Sequence, residues 1–183
     1  MKSAARIAER VRECVSRIDA AAAASLVAAI ASGRRVFVLG AGRSGLVGQS
    51  FAMRLRQMAL PAFVVGSPGC LAIGTGDLLL LLSGSGGKAT HRELVRVAKA
   101  AGAALALVTA EERAPLAAEA GIVVRIPSVG AGEEAELNRL PHQPLQSLFE
   151  QSLLVFLDAV VVELMERLGV SAAFMRSRHA NLE

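Results

Sequence analysis

Val36-Phe37-Val38-Leu39-Gly40-Ala41-Gly42-Arg43-Ser44-Gly45 is the stretch on which the reading of the fold turns. Its first four residues are β-branched, aromatic or aliphatic without a polar break, the composition of a strand buried on both faces. Gly40 closes the run, and a helical pattern through Leu46, Phe51, Met53 and Leu55 follows. Strand, tight turn and helix in this order make the first half of a βαβ unit.

Working outward, the same alternation continues. Strands are expected at Ala62–Val65, Leu78–Leu82, Ala104–Val108 and Ile122–Ile126, with helices over Ala89–Ala101 and, more briefly, Ala114–Ala120. Short, continuously apolar strands separated by helices imply a parallel sheet covered on both sides. The expected fold is therefore α/β: a doubly wound five-stranded parallel sheet of order 2-1-3-4-5, flanked by helices. Upstream, Ile7, Val11, Val15 and Ile18 recur at helical spacing, and a second helix runs from Asp19 or Ala20 to a stop near Gly33. Downstream, Pro127 ends the last strand and a Gly- and Glu-containing stretch through Asn138 to Pro141 reads as a loop. A late helix is expected from Pro144 to Leu168, with Gly169 as its stop and a helical tail beyond. It is apolar nearly all round, from Leu145 and Leu148 to Val162 and Leu164, so it is expected to pack against a second subunit.

A chain of 183 residues fits one domain, 1–183. At 53% hydrophobic it has ample apolar matter for a core. Its apolar runs stop short of the ~18 residues a membrane helix needs. Charges are spread through MKSAARIAERVREC, where a signal peptide would place its apolar centre, and a cytoplasmic location is expected. The two cysteines, Cys14 and Cys70, have no metal-ligand spacing, and with three scattered histidines no metal site is expected. Six phenylalanines with no Trp or Tyr leave little to stack on bases, and no Lys/Arg run forms a patch for nucleic acid. A net charge of +4 is compatible with an anionic ligand.

Gly40-Ala41-Gly42-Arg43-Ser44-Gly45 matches the G-x-G-x-x-G turn of dinucleotide-binding folds. That reading also requires an acid at the end of the second strand for the ribose. Here the strand ends Val64-Val65-Gly66-Ser67-Pro68, which disfavours NAD and leaves no cofactor expected. A second loop, Ser83-Gly84-Ser85-Gly86-Gly87-Lys88, follows the third strand and precedes a helix. Small residues let its backbone wrap a phosphate, while Ser hydroxyls and helix N-terminal amides supply donors and Lys88 a full charge. It lacks the spacing of a Walker loop. In the expected strand order both loops border the switch point at which open α/β sheets bind ligands.

The two loops, the segment Leu148-Phe149-Glu150 and the ending Arg178-His179-Ala180-Asn181-Leu182-Glu183 together resemble the hexuloisomerases of the sugar isomerase (SIS) domain family. The resemblance extends over essentially the whole chain. It implies a keto-keto isomerase acting on a phosphorylated hexulose, D-arabino-3-hexulose 6-phosphate, to give fructose 6-phosphate in the ribulose monophosphate route of formaldehyde fixation. It further implies a homo-oligomer, usually a tetramer, with sites at subunit contacts. Glu150 is then the base and His179 a proton shuttle. Gly42, Arg43, Ser44, Ser83, Gly84, Ser85, Gly86, Gly87, Lys88 and Thr90 hold substrate. The family loop commonly reads S-G-S-G-E-T, whereas Gly87-Lys88 stand here in place of Glu-Thr, so Thr90 or Lys88 is expected to take over the missing hydroxyl contact. Read from pattern alone, Glu150 is equally a capping or salt-bridging residue and His179 a solvated tail residue. His91, at the start of the next helix, contributes to an anion-friendly surface, and His142 has no assigned role. Another SIS isomerase, such as an arabinose 5-phosphate isomerase, would share both loops. A non-catalytic sugar-phosphate sensor would carry an added DNA-binding or partner segment, and none fits in this chain.

Overall fold

The computed structural model describes residues 2–128, 143 and 147–182. The chain opens with α1 (Lys2–Ser16) and α2 (Ala20–Ala31), then alternates β1 (Val36–Gly40), α3 (Gly42–Gln57), β2 (Ala62–Val64), β3 (Leu78–Leu82), α4 (Ala89–Ala100) and β4 (Ala104–Thr109). A 3-10 turn (Ala117–Glu119), β5 (Ile122–Arg125), α5 (Ser147–Leu168) and α6 (Ala172–Ser177) complete the described elements. Pro144 and Leu145, expected in the first turn of α5, lie outside the described residues, as do Gly130, Gly132, Glu133, Glu134, Asn138, Pro141 and His142.

The five strands form one sheet in the order β2-β1-β3-β4-β5, with every pairing parallel. Period-2 alternation divides the strand side chains between two cores. Val36, Val38, Leu78, Leu80, Leu82, Ala106, Val108 and Val124 face a layer built from α1, α2, α3 and α5. Phe37, Leu39, Leu79, Leu81, Leu105 and Leu107 face Val95 and Ala98 of α4, with Ala114 and Leu116 below it. The three central strands, β1, β3 and β4, bury side chains on both faces, which is why they read as unbroken apolar runs.

One expectation changes. The helix foreseen at Ala114–Ala120 is only the 3-10 turn Ala117–Glu119. Pro115 pushes Ala114 away from helical geometry, and the Leu116 N–H turns outward to the Gly86 carbonyl at 3.1 Å instead of starting a helix. The apolar late helix is covered in part by its own chain. Helices α1, α2 and α3 of the same chain pack on α5 and bury Leu148, Phe149, Leu153, Phe156, Leu157, Val160, Val161 and Leu164. Leu154, Val155, Val162 and Leu168 remain exposed along it.

The turn after β1 is held by backbone against backbone. A Cβ on Gly45 would lie 2.8 Å from the Gly40 carbonyl oxygen, and one on Gly40 would meet the Gly45 backbone at 3.0 Å. Gly42 between them has φ +59°. These glycines let α3 begin directly over the end of its strand. At the opposite end of the same strands, just before β1 and β3, buried Asp77 receives a two-pronged ion pair from Arg35, with Nε–Oδ1 2.8 Å and Nη2–Oδ2 2.6 Å, and the Gly74 N–H at 2.7 Å. Burial opposes ionisation of Asp77, but the Arg35 hydrogen bond, the Gly74 amide and the Arg35 charge outweigh it and hold the carboxyl below its ordinary range.

Because the folded-state pKa of Asp77 is depressed, its contribution to stability is complete above the unfolded value near ~3.9 and disappears as pH falls through the lower folded value. Urea unfolding between pH 6 and pH 2 should therefore show a loss of stability below about pH 4 that Asp77→Asn makes smaller. Gly45→Ala should cost about 1–3 kcal/mol, because the clash is with backbone that cannot step aside; an unchanged urea midpoint would contradict the close contact.

Candidate functional site

Parallel pairing from Val36 with Leu78 to Gly40 with Leu82 brings β1 and β3 to the same level of the sheet. The chain leaves β1 toward α3, and β2 lies on the outer side of β1 while β4 lies on the outer side of β3. The connections therefore part at this point and leave a crevice beyond the strand ends. A cleft of about 300 Å³ occupies it. Ala41 and Ser44 border it from the first loop, Leu82 to Ser85 and Lys88 from the second, His91 from the first turn of α4, and Phe149 and Glu150 from the start of α5.

The second loop is braced from beneath. Buried Ser83 accepts the Gly86 N–H on its hydroxyl at 3.2 Å. Thr109, at the end of β4, donates its hydroxyl to the Gly84 carbonyl at 3.0 Å and accepts the Glu111 N–H at 3.2 Å. The Ala110 N–H reaches the same Gly84 carbonyl at 3.0 Å. Gly86, at φ +58°, sits so close to Ala114 that a Cβ there would lie 2.6 Å from the alanine methyl. These contacts turn the loop back on itself above the N-terminus of α4, whose N-cap, Lys88, provides no side-chain cap. The leading amides of that helix have no intrahelical partners and, with the helix dipole, form a site suited to an anion.

Glu150 stands across the cleft. Its side chain is 15% exposed and its Oε2 accepts from Arg43 Nε. This pair ties the first loop to α5 and fixes where the carboxylate lies, while most of the Arg43 side chain stays in solvent. Phe149 beside it is buried in the core, so Glu150 is carried on a well-anchored turn.

Of the residues read from the sequence as substrate-holding, Ser44, Ser83, Gly84, Ser85 and Lys88 border the cleft together with Glu150. Gly42, Gly86 and Gly87 shape the backbone around it, and Arg43 acts on Glu150. Thr90 is exposed and outside the cleft lining. His179 is exposed in the tail after α6, with Nδ1 at 3.0 Å from the Ala180 carbonyl oxygen, and is not part of the cleft lining of its own chain. Two residues carry more than sequence reasoning assigned them. Thr109 ends an apolar strand beside the crevice, a position that marks it only once the strand order is known. His91 shares with Val95 and Ala98 the buried stripe of α4, at i, i+4 and i+7. That spacing was the signal that it faces inward. Burial first, and then the Lys88 charge, lower its pKa below the usual histidine value.

Among the described residues there is no group of three or more His, Cys, Asp or Glu side chains placed to hold a metal, and no single helix is long and apolar enough to cross a membrane.

The model of the SIS domain matches residues 29–143. The 3-hexulose-6-phosphate isomerase of Mycobacterium gastri is 39% identical over 177 residues, which cover 97% of this chain and 88% of that protein. The protein of the same name from Bacillus subtilis is 37% identical over 154 residues, covering 84% and 83% respectively. A crystal structure from Methanococcus jannaschii, for which a molecular function of 3-hexulose-6-phosphate isomerase was inferred, superposes with a TM-score of 0.85 at 25% identity over 100% of both chains. By the extent of the domain match and the identity to these relatives, the chain belongs to the SIS domain family.

Proposed function

We propose that the chain is a sugar-phosphate isomerase that converts D-arabino-3-hexulose 6-phosphate to fructose 6-phosphate. The observation that carries the reading is the single cleft in which the Ser83–Lys88 loop faces the Glu150 carboxylate. Relatives named 3-hexulose-6-phosphate isomerase support the choice of substrate.

The ester phosphate lies against Ser83, Ser85 and the leading amides of α4, with Lys88 at its edge. This anchors one end of the sugar and sets the reacting carbons near α5. Glu150 removes the C2 proton, giving an enediolate across C2 and C3, and returns the proton to C3. The carbonyl thereby moves from C3 to C2 with no net change in atoms or electrons. The hydroxyl on C2 loses its proton as the C3 oxygen gains one, a transfer suited to an imidazole. His179 does this from a neighbouring copy, since it lies outside the cleft of its own chain. A homo-oligomer, a tetramer as in the resembled family, accounts for that arrangement. It also covers the apolar groove of about 830 Å³ between α1, α2 and α5, whose lining includes Val15, Ile18, Val27 and Val155. The enzyme acts in the cytoplasm on its phosphorylated hexulose and uses no cofactor.

An assay coupled to fructose 6-phosphate formation, run beside a panel of aldose and ketose phosphates, tests the substrate; preference for arabinose 5-phosphate would replace it. Glu150→Gln should lower kcat by about 10²–10⁴-fold and stop exchange of the C2 proton with solvent, while phosphate affinity stays near that of the parent. Unchanged turnover would remove Glu150 from the reaction. Ser85→Ala should raise KM by about tenfold, the value of one hydrogen bond to a charged group, with kcat little altered.

A further inference from the structure

His91 is 3% exposed, and both of its ring nitrogens are buried without a hydrogen-bond partner among the described residues. A buried donor or acceptor left unmade is costly, and such groups are rare in folded proteins outside functional sites. Nothing in the packing of α4 requires an imidazole: Val95 and Ala98 continue the same stripe as plain apolar residues. The ring is nevertheless part of the wall of the cleft, beside Ser83, Ser85 and Lys88 and one helical turn from the N-cap. It is thus at the phosphate end of the cleft, in the helix turn whose amides lack partners. Thr90, the hydroxyl residue next to it, is exposed.

We propose that His91 is a phosphate-binding residue of this site: one ring N–H donates to the ester phosphate held by the Ser83–Lys88 loop. The proposal rests on the sugar-phosphate reading above and deepens it. Near neutral pH the ring is uncharged, since burial and Lys88 both disfavour its proton. A neutral imidazole still carries one N–H, and Lys88 at the rim supplies the positive charge. Lys88, the N-cap of α4, and His91, in its first turn, both border the cleft. Of the groups bordering the cleft, Lys88, His91 and Glu150 are titratable, with Arg43 behind Glu150. The carboxylate makes the far side unsuited to the anion and leaves the His91 side for it.

The test uses inorganic phosphate on the full chain. In an imidazole-selective ¹H–¹⁵N spectrum of the unmodified protein, saturation with phosphate should move one ring-nitrogen resonance of His91. Titration calorimetry should show His91→Leu binding phosphate about tenfold more weakly, and His91→Gln, which keeps an N–H donor, recovering part of the loss. With sugar phosphate as substrate, His91→Leu should raise KM by a similar factor and leave kcat within about twofold. If the ring resonances stay still while phosphate binds, or if a folded His91→Leu protein binds phosphate as the parent does, the assignment is overturned. Should His91→Leu fail to fold, the spectrum of the parent decides alone. Failure of the isomerase reading looks different: phosphate and His91 would respond as described, but no hexulose phosphate would turn over.

Discussion

Everything at the site follows from the pairing of β1 with β3. The ladder between them runs in parallel from Val36 and Leu78 to Gly40 and Leu82, so two strands that are not consecutive end side by side. Each then passes into a glycine-containing bend and a helix, and the two bends share one crevice. The spacing of neighbouring strands, about 4.8 Å, sets how close the bends come. Side chains larger than hydrogen at Gly40 and Gly45 would force the first helix off its strand and open that crevice.

The two ends of the central strands are treated differently. At the end away from the cleft, Arg35 and the Gly74 amide satisfy the buried Asp77 carboxylate. At the cleft end polar groups line the crevice: a helix start with no side-chain cap, serine hydroxyls, a lysine and a histidine whose nitrogens have no partner among the described residues. Such unmet capacity is tolerated in a folded protein where a ligand supplies the missing partner. Glu150 at this end is held in place by Arg43 from the first loop, and the Ser83 hydroxyl already accepts the Gly86 N–H.

Helix α5 joins the two roles of scaffold and site. Its apolar length is buried by α1, α2 and α3, and this anchoring lets its first turn present Glu150 with little freedom. Leu154, Val155, Val162 and Leu168 are the large apolar side chains of this helix that its own chain leaves exposed.

The sequence by itself determined the class of fold, the strand positions and the two loops, because these depend on local properties: apolar runs of strand length, helical periodicity, and glycines where a bend needs them. Leu78–Leu82 was legible to the residue, since an apolar run of strand length bounded by Gly76-Asp77 and the Ser83–Gly87 bend fits a strand buried on both faces. What the tertiary structure decided were contacts between residues far apart in the chain. That Arg43 meets Glu150 across 107 positions, that Thr109 props Gly84 from the next strand, and that Thr90 turns outward while His91 turns in depend on how elements are placed in space. Periodicity assigns a residue to a face of its own element; only the packing of that element against others says what the face meets.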